Sequence, residues 1–254
     1  MEPAEYATMA LLENSHWWYV GLRGLVQRAL TSEVGKRGAL RILDAGCGTG
    51  GRFASLSEIF PKSLVVGVDI APKAIHYAAR QKAGQVAYGS ANYLPFKERA
   101  FDVVLCIDVL DVQGIEEKLA LQEMHRILRP GGLFLVNVPA FESLRGTHDG
   151  AVHRRHRYRR KELCKILTHH GFVVEKLMYW NAFLFPVMFV VRRLLRKSGT
   201  APLRSDLKPL PRPLNRFLTT LLAMDIWVCA KINVPFGTSV FSIASKVHDP
   251  VTVR

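Results

Sequence analysis

Cysteine is scarce in this chain, and what there is builds nothing. Cys47, Cys106, Cys164 and Cys229 are scattered through 254 residues, with no CxxC pair and no histidines at zinc spacing. That excludes a disulfide framework or a structural zinc and fits free thiols in a reducing compartment. The N-terminus, MEPAEYATMALLENSHWWYV, has no basic segment leading into an apolar core, so no secretory signal is read and a cytoplasmic location is expected. The apolar stretch YWNAFLFPVMFVV is thirteen residues without a charge, but Pro186 interrupts it and it is too short to span a bilayer. No internal repeat is visible. Acidic residues run short in one place: residues 151–216 hold 16 Lys and Arg against 3 Asp and Glu, while the net charge of the whole chain is +14. The basic character therefore belongs to the second half.

What is present is a regular alternation. Residues 4–30 repeat apolar positions at helical spacing, weakened by Gly21 and Gly24. The short apolar strand ALRILDA then runs into a glycine turn and the helix GRFASLSEIF. The Val-rich strand SLVVGVDI, the helix APKAIHYAARQKA and the short strand VAYGSA follow. FDVVLCIDV is read as a fourth strand, IEEKLALQEMHRIL as an amphipathic helix, Arg129–Gly132 as a tight turn and GGLFLVNVP as a fifth strand. Five strands alternating with helices predict a doubly wound, Rossmann-like parallel sheet. Beyond Pro139 the pattern changes to a basic loop HDGAVHRRHRYRR, a helix, a strand FVVEKLMYW, two apolar helices joined by a Pro-rich basic linker, and a last alternating strand TSVFSIASKV. The expected architecture is a seven-stranded, mostly parallel sheet with an apolar helical insertion between strands six and seven. In domain terms, residues 1–38 form an N-terminal helical cap, 39–180 and 233–254 the core, and 181–232 the insertion.

The glycine turn reads Asp44-Ala45-Gly46-Cys47-Gly48-Thr49-Gly50-Gly51. Glycines there let the backbone turn sharply and approach a ligand closely. A GxGxxG match (Gly46, Gly48, Gly51) is by itself a weak sign of a dinucleotide site. Asp69, at the end of the second strand, is placed to accept hydrogen bonds from two ribose hydroxyls; the plainer reading is a carboxylate favoured at a helix N-terminus.

LDAGCGTG, Asp69, SANYLPF, FDVVLCIDVL and EMHRILRPGGLFLV resemble, in order and spacing over roughly residues 40–140, the successive motifs of class I S-adenosylmethionine-dependent methyltransferases. The resemblance implies S-adenosylmethionine as cofactor, held by Asp44, Ala45, Gly46, Cys47, Gly48, Gly50, Asp69, Ile70, Ser90, Ala91 and Asp108. It implies that Asp44 and the glycine loop line the methionine part and that Asp69 holds the ribose. Ser90 and Ala91 would flank the adenine, with Asp108 near the sulfonium. This chain departs from the pattern in two places: Ser90 stands where members often carry Asp, and Asp111-Val112 stand where many small-molecule members have Glu-His. Nor does Asp108-Val109-Leu110-Asp111 match the Asn/Asp-Pro-Pro-aromatic tetrad usual in enzymes that methylate exocyclic amines of nucleic acids, so that reading is disfavoured.

Methyl transfer from a sulfonium asks mainly for proximity and a water-poor pocket, and for a base only where the acceptor must lose a proton. In the resembled fold the acceptor is covered by N-terminal helices and by segments after strands five and six. His16, Trp17, Trp18 and Tyr19 fit the first cover, with aromatic packing onto the sheet as the alternative. His148, Asp149, His153, His156, Arg157 and Tyr158 fit the second, with a solvated basic loop as the alternative. The candidates for proton transfer are His153, His156, Tyr158, His16 and Tyr19. No metal is expected, since arginines between the histidines would repel a cation. HRRHRYRR with Arg192, Arg193, Arg196 and Lys197 admits RNA or an anionic membrane surface as partner. The neighbouring apolar helices favour the membrane, or a greasy acceptor, over nucleic acid; packing on each other or a homodimer through them is the remaining expectation. The expected function is methylation, at oxygen, of an apolar or lipid-linked small molecule. The alternatives are an RNA methyltransferase and a cofactor-binding subunit without turnover.

Overall fold

A computed structural model describes residues 3–35, 38–197 and 207–247. Seven strands form one sheet in the order β3-β2-β1-β4-β5-β7-β6. They are β1 (Arg41–Ala45), β2 (Leu64–Asp69), β3 (Gln85–Tyr88), β4 (Phe101–Ile107), β5 (Leu128–Pro139), β6 (Phe172–Trp180) and β7 (Ser239–Lys246). Strands β3 to β5 pair in parallel, and β7 runs antiparallel to both β5 and β6. This is the Rossmann-like sheet that the alternation predicts.

Successive strand residues point to opposite faces, so Ile42, Val103 and Leu135 enter one buried cluster while Leu43, Val104 and Val136 enter the other. The first cluster is covered by α2 (Trp17–Val34), α3 (Phe53–Ile59) and α9 (Arg212–Lys231). The second is covered by α5 (Glu117–Ile127) and α7 (Arg160–His169), which bury Leu121 and Met124, and Leu163 and Leu167, at helical spacing. Helix α4 (Pro72–Ala78) follows β2, with Pro72 at its first turn, where a missing N–H costs nothing.

The N-terminal segment divides into α1 (Pro3–Leu12) and α2, and the break falls before His16, whose side chain accepts a hydrogen bond from the Trp18 N–H as the cap of α2. Two local expectations need correction. Arg129–Gly132 is no free-standing turn: Leu128 already pairs with Phe101, and the register slips before Val103 pairs with Leu133, so the segment is an irregular start of β5. The stretch read as a basic loop, His148–Arg160, begins within the short helix α6 (Thr147–Ala151), where the Asp149 side chain accepts a hydrogen bond from the Gly146 N–H at 2.7 Å, and a helical turn, Glu142–Leu144, precedes it.

Between β6 and β7 lie α8 (Phe185–Lys197) and α9; residues 198–206 of the Pro-rich linker fall outside the described residues, as do the side chains of Arg196 and Lys197. Helix α9 packs closely on α2, since a Cβ on Gly21 would stand 2.2 Å from Leu222 Cδ2. Asn215 fastens the start of α9 to the start of α2, accepting from the Trp17 N–H at 2.9 Å and donating to the Ser15 carbonyl at 2.8 Å. Asp225, which breaks the apolar pattern of α9 in sequence, is buried and accepts the backbone N–H groups of Asn181, Ala182 and Phe183 at 2.5, 2.7 and 2.8 Å. It therefore fixes the turn from β6 into α8. Removing it leaves three buried donors without their acceptor, so Asp225→Ala is expected to lower stability in urea by about 3 kcal/mol or more, and Asp225→Asn by clearly less.

Candidate active site

The glycine loop follows β1 and is tied to β2. The Gly46 and Cys47 N–H groups both donate to the Val68 carbonyl, at 2.7 and 3.0 Å. Gly46 and Gly48 take φ of 75° and 56°, a region where L side chains are strained. The Gly48 N–H donates to Asp69 Oδ2 and the Ala71 N–H to Oδ1, each at 2.9 Å. Those bonds fix the carboxylate at the cavity wall while each oxygen retains accepting capacity for a ribose hydroxyl. Burial is the largest influence on Asp69 and raises its pKa against the pull of these N–H groups. Ile70 is exposed and Ala91 buried, and both line the same cavity. A bare backbone cradle, a fixed carboxylate and apolar flanks fit an adenosine-bearing sulfonium.

Not every residue of the expected cofactor set faces that space. Gly46, Cys47, Gly48, Asp69, Ile70, Ala91 and Asp108 line it, whereas Asp44, Ala45, Gly50 and Ser90 do not. Asp44 is fully buried and holds Arg52 in a two-pronged ion pair, both contacts at 2.8 Å. Arg52, not Asp44, reaches the wall. The Ser90 hydroxyl accepts the Asn92 N–H at 3.2 Å, closing its own turn.

Helix α1 and the turn after it lie over the loop, which sequence reasoning missed. Glu13 is buried, bonds to the Thr49 hydroxyl, and accepts from Gln81 Nε2 at 3.3 Å. Arg23 clamps the arrangement by donating to the Glu13 and Gly51 carbonyls at 2.9 and 3.2 Å. Tyr6 lines the cavity, its hydroxyl pushed up to about 12 by burial and then by the charge of Asp69. No short-range spacing links Glu13, Arg23, Thr49 and Gln81, so the sequence offers no signal for this group.

At the tip of β4, Asp108 has φ 58° and accepts from Asn137 Nδ2 at 2.9 Å. Asn137 Oδ1 accepts from Trp180 Nε1 at 2.8 Å, and Trp180 stacks on Trp18 with ring centroids 4.9 Å apart. Burial pushes the Asp108 carboxyl up to about 6, partly opposed by the Arg154 guanidinium. Tyr19 and His16 line the wall nearby. Burial raises the Tyr19 phenol, keeping it a neutral donor, and lowers the His16 imidazole, keeping it neutral near pH 7.

The second cover divides. His148, Arg154 and Arg157 line the cavity, but His153, His156 and Tyr158 are not part of its wall. His156 Nε2 sits 2.7 Å from Glu162, and the buried Tyr158 hydroxyl donates to Glu117 at 2.6 Å, which with burial raises its pKa. His153 has φ 55°, and its carbonyl accepts the Gln113 N–H. The arginines here are not a solvated loop. Arg157 is buried and holds Asp149 through Nε and NH2 at 2.9 and 3.1 Å; Arg154 reaches Asp111 at 2.5 Å and Asp149 at 3.4 Å. Burial lowers Arg157 to about 10, against the pull of Asp149 and helped by Arg154 and Arg192. The far wall is Leu184 and one face of α8, where Val187, Met188, Val191 and Arg192 recur at helical spacing. The whole forms a single cavity of about 720 Å³ running from the glycine loop to α8.

Residues 43–136 match the family described as a methyltransferase domain. The malonyl-[acyl-carrier protein] O-methyltransferase of Herminiimonas arsenicoxydans is 35% identical over 103 residues, 41% of this chain and 38% of that protein. A namesake from Coxiella burnetii is 28% identical over 197 residues, 74% of this chain and 64% of that one. The chain thus spans about two fifths to just under two thirds of the length of these curated relatives. The solved structure of geranyl diphosphate methyltransferase with S-adenosylmethionine shares the fold at TM-score 0.57 and 14% identity, over 87% of this chain and 84% of that one. Residues 43–136 are thus a methyltransferase domain, and the sheet order and the cavity fit the class I S-adenosylmethionine-dependent enzymes, with S-adenosylmethionine as cofactor.

Two consequences can be measured by calorimetric titration with S-adenosylmethionine. Asp69→Ala is expected to weaken binding by about tenfold or more, the loss of charge-assisted hydrogen bonds, while Ser90→Ala stays near the parent. A bound cation favours the ionised form of Asp108, whose carboxyl is raised to about 6. Affinity should therefore climb from pH 5 to 7 as that group loses its proton and level off above; Asp108→Asn should remove the slope.

Proposed function

We propose that the chain transfers the methyl group of S-adenosylmethionine to an oxygen of an apolar, lipid-like acceptor, and that the accepting group is a carboxylate. The observation that carries this is the continuity of the cavity, in which the cofactor residues and the apolar face of α8 enclose one space. When bound, S-adenosylmethionine supplies a methyl group already activated on a sulfonium. The chain has then to bind, orient and exclude water.

Leu184 and the α8 face of Val187, Met188 and Val191 are open to an apolar body, and Arg192 stands one turn beyond Met188 on the same face. Arg154, Arg157 and Arg192 lie close enough for each of the other two to depress Arg157. Asp111 and Asp149 balance Arg154 and Arg157, so the guanidinium of Arg192 carries the preference for an anionic oxygen over a neutral one. A carboxylate at neutral pH has no proton to lose, so an acceptor of this kind needs no base. That agrees with the position of His153 and His156 outside the cavity wall. The names of the two relatives, both O-methyltransferases of a malonyl group on a carrier protein, support oxygen of an acyl compound. The RNA reading loses ground because Arg154 and Arg157 are engaged in buried ion pairs.

Incubation with methyl-labelled S-adenosylmethionine should label a long-chain fatty acid as its methyl ester and leave the matching fatty alcohol and bulk RNA unlabelled. Arg192→Met should raise KM for the acid about tenfold while leaving cofactor binding intact. Label in RNA alone, or in the alcohol as readily as in the acid, would sink the proposal.

A further inference from the structure

Helices α8 and α9 each bury one face and leave an apolar stripe on the other. In α9 the inward face is Leu222, Asp225, Ile226 and Cys229, and the outward stripe is Leu214, Phe217, Met224 and Trp227, with Phe217 62% and Trp227 53% exposed. In α8 the outward stripe is Val187, Val190, Val191 and Leu194, with Val187 58% and Leu194 62% exposed. A tilted ring contact between Phe185 and Phe236, centroids 5.2 Å apart, brings the segment following α9 against the first turn of α8. Exposed apolar surface of this extent on a folded domain marks a contact with something else.

Charge selects the partner. Residues 181–197 and 207–247 contain one carboxylate, Asp225, and it is buried. The exposed cations of the same segments are Arg193, Lys208, Arg212, Arg216 and Lys231. Lys231 Nζ stands 4.0 Å from the centre of the Trp227 ring, an indole and an ammonium held together at the surface. A second copy of this chain presenting the same face would bring these cations together with no anion between them. Aromatic and aliphatic residues flanked by Lys and Arg are instead what an anionic lipid interface accepts, the apolar groups entering below the headgroups and the cations staying among them. No described helix is long and apolar enough to cross a membrane.

We infer that the outward stripes of α8 and α9 dock on the surface of an anionic lipid bilayer. Val187 and Val191 belong both to the exposed stripe and to the cavity wall, so docking sets the cavity mouth against the lipid. An apolar acceptor then passes from bilayer to cavity without crossing water. This contact is separate from the choice of acceptor, since it needs no turnover.

The test is sedimentation of the full chain with phosphatidylcholine vesicles made with and without phosphatidylglycerol. The chain should partition onto the anionic vesicles, less as salt is raised, and only weakly onto the neutral ones. The double variant Phe217→Ser/Trp227→Ser removes exposed side chains and should bind S-adenosylmethionine like the parent, yet partition about tenfold or more less well. Arg212→Gln/Arg216→Gln should lose the preference for anionic lipid. Three results would overturn the inference: no partition onto anionic vesicles, parental partition by the Phe217/Trp227 variant, or a dimer or RNA complex that this variant abolishes.

Discussion

The Asn137 side chain is a fully buried amide at the end of β5, and the geometry of the site hangs on it. Its nitrogen donates to Asp108 at the tip of β4 and its oxygen accepts from Trp180 at the end of β6. An amide that donates on one side and accepts on the other holds those two groups in fixed relation, and no apolar residue of that size can. Trp180 in turn stacks on Trp18 of α2, so the N-terminal cover is registered to the sheet through the same amide. Asp108 sits at positive φ, where a non-glycine residue is strained, and its bond to Asn137 is part of what keeps it there. The tip of β4, the end of β6 and the first cover are therefore held together through one chain of contacts.

A second constraint is the sorting of charge. The basic surplus of residues 151–216 reads in sequence as one feature, yet the fold divides it. Arg154 and Arg157 are drawn inward and balanced by Asp111 and Asp149; Arg52, from the other half, is balanced by Asp44. A buried guanidinium without a carboxylate would be very costly, which is why each has one. The cations left outside cluster on the insertion, where the one carboxylate among the described residues, Asp225, is occupied by backbone N–H groups. Net charge thus describes the outer face of α8 and α9 far better than it describes the cavity.

What could be read from the sequence was local. The succession of strands and helices along the chain, the glycine loop and the position of Asp69 follow from spacing within short segments, and that alternation implies a mostly parallel sheet. What could not be read depends on residues far apart in the chain. Glu13 meets Thr49, Asn215 meets Ser15 and Trp17, and Asp225 meets Asn181; no spacing rule connects them. The histidines illustrate the same limit. His148 and His153 are five residues apart in one basic stretch, yet α6 and the positive φ of His153 separate them, and only His148 reaches the wall. Ser90 shows the limit on a smaller scale: its hydroxyl accepts the N–H two residues on and closes its own turn, a local bond that the motif pattern does not announce.

The same division explains why kinship reveals the cofactor and not the acceptor. The family match ends at residue 136, and within it lie the loop, Asp69, Ala91 and Asp108. The walls that face an acceptor come almost wholly from outside it: Tyr6 to Arg23 on one side, Pro139 to Arg157 on another, and Asn181 to Ser239 on the third. A Rossmann-like sheet hosts many chemistries because its binding crevice is fixed while its covers are free to vary. In this chain the cover is held by Asn215, Asp225 and the Trp18–Trp180 stack, none of which lies in the glycine loop. Selection acting on the acceptor can therefore remodel α8 and α9 without disturbing the loop. Substrate must be sought in those helices and not in the motifs.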